Sequence, residues 1–282
     1  MTLTPDVAAT ADASPTPREE APAGGADLLG LAGTTWYVPP QNLLAYLCDP
    51  ALQHERPVAD QTIWSITSAG EGQFQGTSTT SLWTVAPDGG LTALGTTTNA
   101  MSGTVGENGD ITIIFTPSDP DQAQTIGYGH LRQVEGAWRM EMQMATGTQL
   151  LALHWAYMTR WTNGESMPPA PSHLPDPVLR SDEWRWLAGT EWRAVDEELF
   201  PQGAAFTIGS YRNGYFWGDG AVSSGEPLRV AGSVTPEGTL YILFSIAGEP
   251  AVARRGAISN ETRRMEWMVP AGGPVIGFAT LI

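Results

Sequence analysis

Along the segment Trp138–Met144, apolar and polar residues alternate one by one: Trp138, Met140, Met142 and Met144 fall on one side, Arg139, Glu141 and Gln143 on the other. A period of two marks a strand with one buried face, because successive side chains of an extended chain point to opposite sides. Similar runs recur at short intervals, separated by Gly, Pro, Asn or Asp. Near the end of the chain they read EWRAVD, AAFTIGSY, GYFWGDGAV, LRVAGSV, TLYILFSI, VARRGAI, RMEWMV and VIGFATLI. These predict antiparallel strands joined mainly by short turns. Eight such strands can close on themselves, which removes exposed edges and leaves an interior for side chains or one small ligand.

The pattern is written twice. LAGTTW at Leu31–Trp36 returns as LAGTEW at Leu187–Trp192, and WSITSAGEGQFQG, ending at Gly76, matches FTIGSYRNGYFWG, ending at Gly218. SGTVGENGDITIIF from Ser102 answers AGSVTPEGTLYILF from Ala231, and RMEM at Arg139 answers RMEW at Arg264. The order is preserved while the offset shrinks, so the first copy carries extra loop residues. Self-similarity of this kind fixes architecture before any other feature. The expected organisation is all-β: residues 1–26 a disordered tail, 27–161 a first barrel with a lid insertion at 40–58, 162–182 a Pro-rich linker, and 183–282 a second barrel.

Each copy opens with a Gly-x-x-Trp, Gly33-Thr34-Thr35-Trp36 and Gly189-Thr190-Glu191-Trp192. In this position the motif resembles the opening of calycins, the up-and-down barrels that include lipocalins, fatty-acid-binding proteins, avidins and nitrobindins. The resemblance implies two tandem eight-stranded antiparallel calycin-like barrels, each plugged at one end by its Trp. It also implies an Arg from the last strand stacked on that Trp, a part open to Arg160 in copy one; copy two ends at Ile282 without one. The run MATGTQLLALHW, Met144–Trp155, resembles the closing region of nitrobindins, which implies His154 as a haem ligand.

Composition narrows the function classes. Hydrophobic residues make up 41% and charged residues 16%, with 32 Gly and 22 Pro, which suits a turn-rich β protein. The formal charge of −16 works against nucleic acid and anionic membranes as partners. All basic residues are Arg, so no Schiff-base or P-loop lysine exists. The lone Cys48 has no disulfide partner or zinc-type spacing, and the opening residues lack a signal peptide's basic and apolar regions, so a cytoplasmic protein is expected. No apolar run reaches the roughly 20 residues of a membrane helix. No GxSxG, HExxH or dinucleotide fingerprint appears, and neither metal nor cofactor is expected.

The Met row gives the strongest pocket signal. Flexible Met and broad indole rings make an adaptable lining for an apolar ligand, and they equally fill a solid core. Copy two repeats the row with Met265, Trp267 and Val269. Arg139 with Glu141, and Arg264 with Glu266, are expected as exposed pairs. Within the insertion, Leu43, Tyr46 and Leu47 share one helical face and suggest a lid across the barrel mouth, the plain alternative being a packed surface loop. His154 stands where copy two has Ala279. It reads as a hydrogen-bonded structural residue, a general acid or base, or the haem ligand of the nitrobindin resemblance. Tyr128 and His130, on one face of TIGYGHLR, are its substitutes if it points outward. Asp219, in GYFWGDG, is either a turn residue or a desolvated acid.

Two functions remain. The first is a cofactor-independent cyclase or isomerase of natural-product biosynthesis, acting on an apolar polyketide- or terpenoid-like molecule, with His154, Tyr128 and His130 as catalytic candidates. Its catalysis would come mostly from orientation. Trp138, Met140, Met142, Met144, Leu43, Tyr46 and Leu47 would bind the ligand. The second is a non-catalytic carrier or sensor of a hydrophobic ligand. The enzyme is preferred, and it is placed in copy one, where the lid, the extra loop length and His154 lie. Oligomeric state is left open.

Overall fold

The structure, a computed structural model, describes residues 30–49, 54–119, 124–147, 151–161, 171–174, 182–270 and 272–282. The expected tail, 1–26, lies outside the described residues, as does most of the linker. The chain forms two closed eight-stranded antiparallel barrels in tandem.

Barrel one comprises β1 (Thr34–Tyr37), β2 (Leu44–Asp49), β3 (His54–Gly70), β4 (Gln73–Val85), β5 (Leu91–Val105), β6 (Asp110–Thr116), β7 (Thr125–Val134), β8 (Ala137–Gly147) and β9 (Leu151–Trp161). Nine segments fill eight positions because β1 and β2 share one. Both pair with β3 on one side and with β9 on the other, and β3–β4 pairing closes the ring. The break between them falls at Pro39 and Pro40, which lack the N–H a ladder needs. There the chain detours through a 3-10 turn, Pro40–Asn42.

Of the segment 40–58, expected as a lid, residues 44–49 and 54–58 are therefore barrel wall, and 40–42 form the turn before them. Leu44, Tyr46 and Cys48 face barrel two, while Ala45 and Leu47 face inward. Partners on both sides satisfy the β2 backbone, and both faces are buried, so the stretch carries no polar alternation to betray a strand.

Barrel two runs β10 (Thr190–Asp196), β11 (Phe200–Arg212), β12 (Tyr215–Val222), β13 (Pro227–Val234), β14 (Thr239–Ile246), β15 (Val252–Ser259), β16 (Arg264–Met268) and β17 (Gly277–Leu281). Neighbours in sequence are neighbours in the sheet, and β17 pairs back onto β10.

The repeated LAGTxW has a repeated geometry. In barrel one the Thr34 hydroxyl donates to Leu31 O at 2.6 Å and accepts from Trp36 Nε1 at 2.8 Å. In barrel two Thr190 makes the same two bonds at 2.5 and 2.7 Å. Each hydroxyl thus satisfies the N–H of a fully buried indole. The Gly33 and Gly189 amides donate to Ile66 O and Ile208 O, fastening each opening turn to the second strand of its barrel. Arg160 sits opposite Trp36 in the β1–β9 ladder with its side chain exposed. Gly103 and Gly232 are also matched: a Cβ at either would stand 2.5 Å from the ring of Phe74 or Phe216, so each glycine makes room for an aromatic lid on the backbone.

Barrel two holds a broad apolar core. Phe200, Phe206, Phe216, Phe244 and Trp267 meet at its centre, with Trp192 and Leu187 beneath. At one end the buried Asp196 accepts from Arg254 Nε and from Trp267 Nε1, both at 2.9 Å, and from the backbone amides of Glu198 and Leu199, both at 3.0 Å. Burial alone would raise this carboxyl. The hydrogen bonds from Arg254, Leu199 and Trp267, together with the Arg254 charge, outweigh that and hold it below the ordinary aspartate value. Arg264 and Glu266 form the expected half-exposed pair at 2.7 Å.

The barrels meet along an apolar seam that includes Leu44, Tyr46, Leu153 and Trp155 from the first and Tyr215, Tyr241 and Leu243 from the second. Glu141, expected to be exposed, is buried in this seam, where it pairs with Arg132 and accepts from Trp155 Nε1 at 3.0 Å. Part of the linker is anchored as well, Leu174 N donating to Gly89 O at 2.8 Å. Among the described residues, no helix is long and apolar enough to cross a membrane.

Candidate functional site

A cavity of about 210 Å³ opens in barrel one, walled by β2–β9. Its lining follows from strand register, because residues directly opposite in an antiparallel ladder share a face. Thr62, Thr80 and Thr97 form one hydroxyl row across β3, β4 and β5, and Ser78 with Asn99 forms the next. Leu47, Val58, Leu82, Phe115 and Met144 supply the apolar side. The result is an amphipathic chamber with a band of neutral hydrogen-bonding groups.

Two ionisable groups meet in its wall. The His154 side chain, 4% exposed, places Nδ1 3.2 Å from Asp60 Oδ2, within ion-pair range but not aligned as a hydrogen bond. Its other nitrogen, Nε2, lies 3.1 Å from the backbone carbonyl of Asn42. A carbonyl can only accept, so Nε2 carries the proton there. Asp60, 16% exposed, takes the Thr62 hydroxyl on Oδ1 at 2.8 Å, and Thr62 in turn meets Thr80 at 3.1 Å. His154 is thus the inner member of the pair, and Asp60 is the member with access to the chamber.

The detour between β1 and β2 creates this arrangement. It brings the Asn42 carbonyl to His154, while Asn42 Nδ2 donates to Tyr157 O at 3.4 Å. Where β2 and β9 part, a hydroxyl from barrel two completes the wall: Tyr215 accepts from Trp155 N–H at 2.6 Å and donates to Leu44 O at 3.3 Å. The neighbouring turn joins in. A Cβ on Gly214 would stand 2.5 Å from the Trp155 ring, and Asn213 Nδ2 donates to the Tyr46 hydroxyl at 3.4 Å. Tyr215→Phe is expected to cost about 1–3 kcal/mol, since it strands a buried amide and a carbonyl. Hydrogen exchange should show the Trp155 amide losing protection first.

The other sequence candidates divide. Met144 and Leu47 line the chamber, while Met140, Met142 and Leu43 pack in the solid core beside it and Trp138 lies half-buried at the core's margin. Tyr46 also borders the chamber but turns its ring to barrel two, 5.0 Å from Tyr215, and burial raises its hydroxyl above the ordinary value.

Tyr128 and His130 stand opposite Gln143 and Glu141, on the face of β7 turned away from the chamber. Tyr128 lies under Arg255 of barrel two, and His130 Nδ1 is 2.7 Å from Asp110. Gly127 and Gly129 take the inward positions of β7, leaving room for Met144 and Met142. Asp219 is exposed and opposite Arg229, a surface residue and not a pocket acid. Burial pushes the Cys48 thiol up to about 12, as fits an inert side chain.

Asp60, Thr62 and the hydroxyl rows were not among the sequence candidates. A signal existed: Val58, Asp60, Thr62, Trp64 and Ile66 alternate, placing one charge within an inward row. With both ring nitrogens of His154 facing protein oxygens, neither is presented to a haem iron. Among the described residues no group of three or more His, Cys, Asp or Glu side chains is placed to hold a metal ion. Compared with protein-family models, curated proteins and solved structures, the chain matches none.

Proposed function

We propose that the chamber of barrel one, in a protein of calycin-like type, binds a small, mainly apolar molecule bearing an oxygen function and isomerises or cyclises it without a cofactor. The observation that carries this reading is the pair itself, a carboxylate open to an amphipathic cavity and backed by a buried imidazole. Asp60 takes a proton from carbon beside a carbonyl and returns it at another position, so that the ligand's atoms are conserved. Thr62 fixes the carboxylate and the His154 ring backs it, the hydroxyl rows hold the ligand's oxygen, and Leu47, Phe115 and Met144 set the pose of its skeleton. Such proton transfer contributes about a hundred- to ten-thousand-fold in rate. Orientation supplies the remainder. Polyketide- or terpenoid-like skeletons have the required mixture of apolar bulk and carbonyl oxygen.

A carrier is the second reading. The observation on its side is that both nitrogens of His154 face protein oxygens, Nε2 in a hydrogen bond, which suits a fixed wall as well as a working pair. Incubation with cyclic enones and β-diketones in heavy water separates the two, with deuterium incorporation read by mass spectrometry. The enzyme reading expects exchange with the wild type and a drop of about a hundredfold or more in Asp60→Asn. Binding without exchange in the wild type leaves the carrier, and the absence of both rejects the chamber as a ligand site.

A further inference from the structure

The charge inventory of the chamber, together with the hydrogen bonds already made by Asp60, specifies the ligand's polar group. Among the described residues, Asp60 and His154 are the lining side chains of the acidic, Arg and His types. Among the described residues no Arg lines the chamber, Arg56 opposite Leu47 in the β2–β3 ladder being exposed, and the chain contains no Lys. A fatty acid, an organic phosphate or any other anion would therefore find no cation among the described lining residues. It would also approach a carboxylate in a partly enclosed space, where like charges repel more strongly than in bulk water.

The acceptor count points the same way. An ionised carboxylate has about four lone-pair sites and no donor. The Thr62 hydroxyl takes one on Oδ1, and His154 stands against Oδ2. Capacity remains on the chamber side, and only a ligand O–H or N–H can use it. The rows Thr80 with Thr97 and Ser78 with Asn99 can donate or accept, so they accommodate a second oxygen without fixing its kind.

Building on the proposed binding role of this chamber, we propose that its ligand is neutral or cationic, presents a hydroxyl or amine to Asp60, and that the site rejects carboxylates of the same shape. The ligand class is an apolar alcohol or amine, and in the isomerising reading the second oxygen, held by the hydroxyl rows, is its carbonyl.

Three near-isosteric fluorescent probes test this on the full chain: 2-(1-naphthyl)ethanol, 2-(1-naphthyl)ethylamine and 1-naphthylacetate, titrated at neutral pH in about 0.15 M salt, where the Debye length is about 8 Å. The alcohol and the amine are expected to bind at least tenfold more tightly than the acetate. In Asp60→Asn the amine and acetate should converge to within about threefold, while the alcohol changes little. That variant alters the net charge by a single unit, so its effect reads the local carboxylate and not the overall charge of the chain.

Acetate binding as tight as alcohol binding in the wild type overturns the inference while leaving the chamber a ligand site. Undiminished discrimination in Asp60→Asn also overturns it, by assigning the preference to the acidic surface as a whole. If none of the probes binds the wild type, the binding role fails and takes this inference with it. Leu47→Trp, which fills the chamber without touching Asp60, should abolish binding of all of them, and probes that still bind it sit elsewhere and overturn the assignment.

Discussion

Arg254→Met is expected to lower the unfolding free energy by about 3–5 kcal/mol, the loss found when one member of a buried ion pair is removed. Arg254 is 2% exposed and Asp196 is 0% exposed, so water cannot take over the lost bonds. Asp196 would keep the Trp267 indole and two backbone amides, but its charge would stand inside the barrel end without a counter-ion. Chemical denaturation of the full chain measures the effect. A change below about 1 kcal/mol would show that the barrel end relaxes enough to hydrate the acid. The same carboxyl makes stability fall with acid. Its folded-state value lies below the unfolded one, so its contribution is complete above the ordinary aspartate range and is lost as pH falls through the lower, folded value. Asp196→Asn should flatten this acid limb, whatever it costs at neutral pH.

Trp36→Ala and Trp192→Ala are each expected to cost about 3–5 kcal/mol. Both indoles are fully buried, and both satisfy their N–H through the threonine two residues earlier. Removal leaves a large void and a hydroxyl without its donor. Because the two relays match bond for bond, the two losses should agree within about 1 kcal/mol, allowing for how far each site can collapse. Thermal melts of both variants provide the measurement. Near-wild-type stability in either would mean that its Trp decorates the opening strand and does not hold it.

The barrels were legible because a closed sheet imposes one rule, inward apolar and outward polar, and most strands of both copies obey it, the polar inward rows of β3–β5 being the exception. The Met row reads inward in the sequence and lies inward in the fold. The rule weakens where both faces are buried. Leu43–Cys48 is apolar throughout because it touches the core on one side and barrel two on the other, so it resembles the start of a helix more than a strand. Glu141 shows the converse: a charge on an outward face is taken for solvent-exposed until a second barrel covers it. Tyr128 and His130 could have been placed, since the glycines between and before them mark the inward positions of β7. The partner of His154 could not. Asn42 contacts it through a backbone carbonyl, which leaves no trace in side-chain identity, and the three-residue detour that brings it there depends on the register of β9, distant in sequence.

The Tyr215 hydroxyl bears on how a mutational survey of this protein would be interpreted. Positions whose substitution abolishes function are commonly taken to surround the site, yet Tyr215, Gly214 and Asn213 belong to the half of the chain that does not contain the chamber. Through Trp155 and Leu44 they hold the strands that flank His154. A phenotype there would report on a chamber in the other half. The two copies are thus not interchangeable: the chamber lies in one, and the other forms part of its frame.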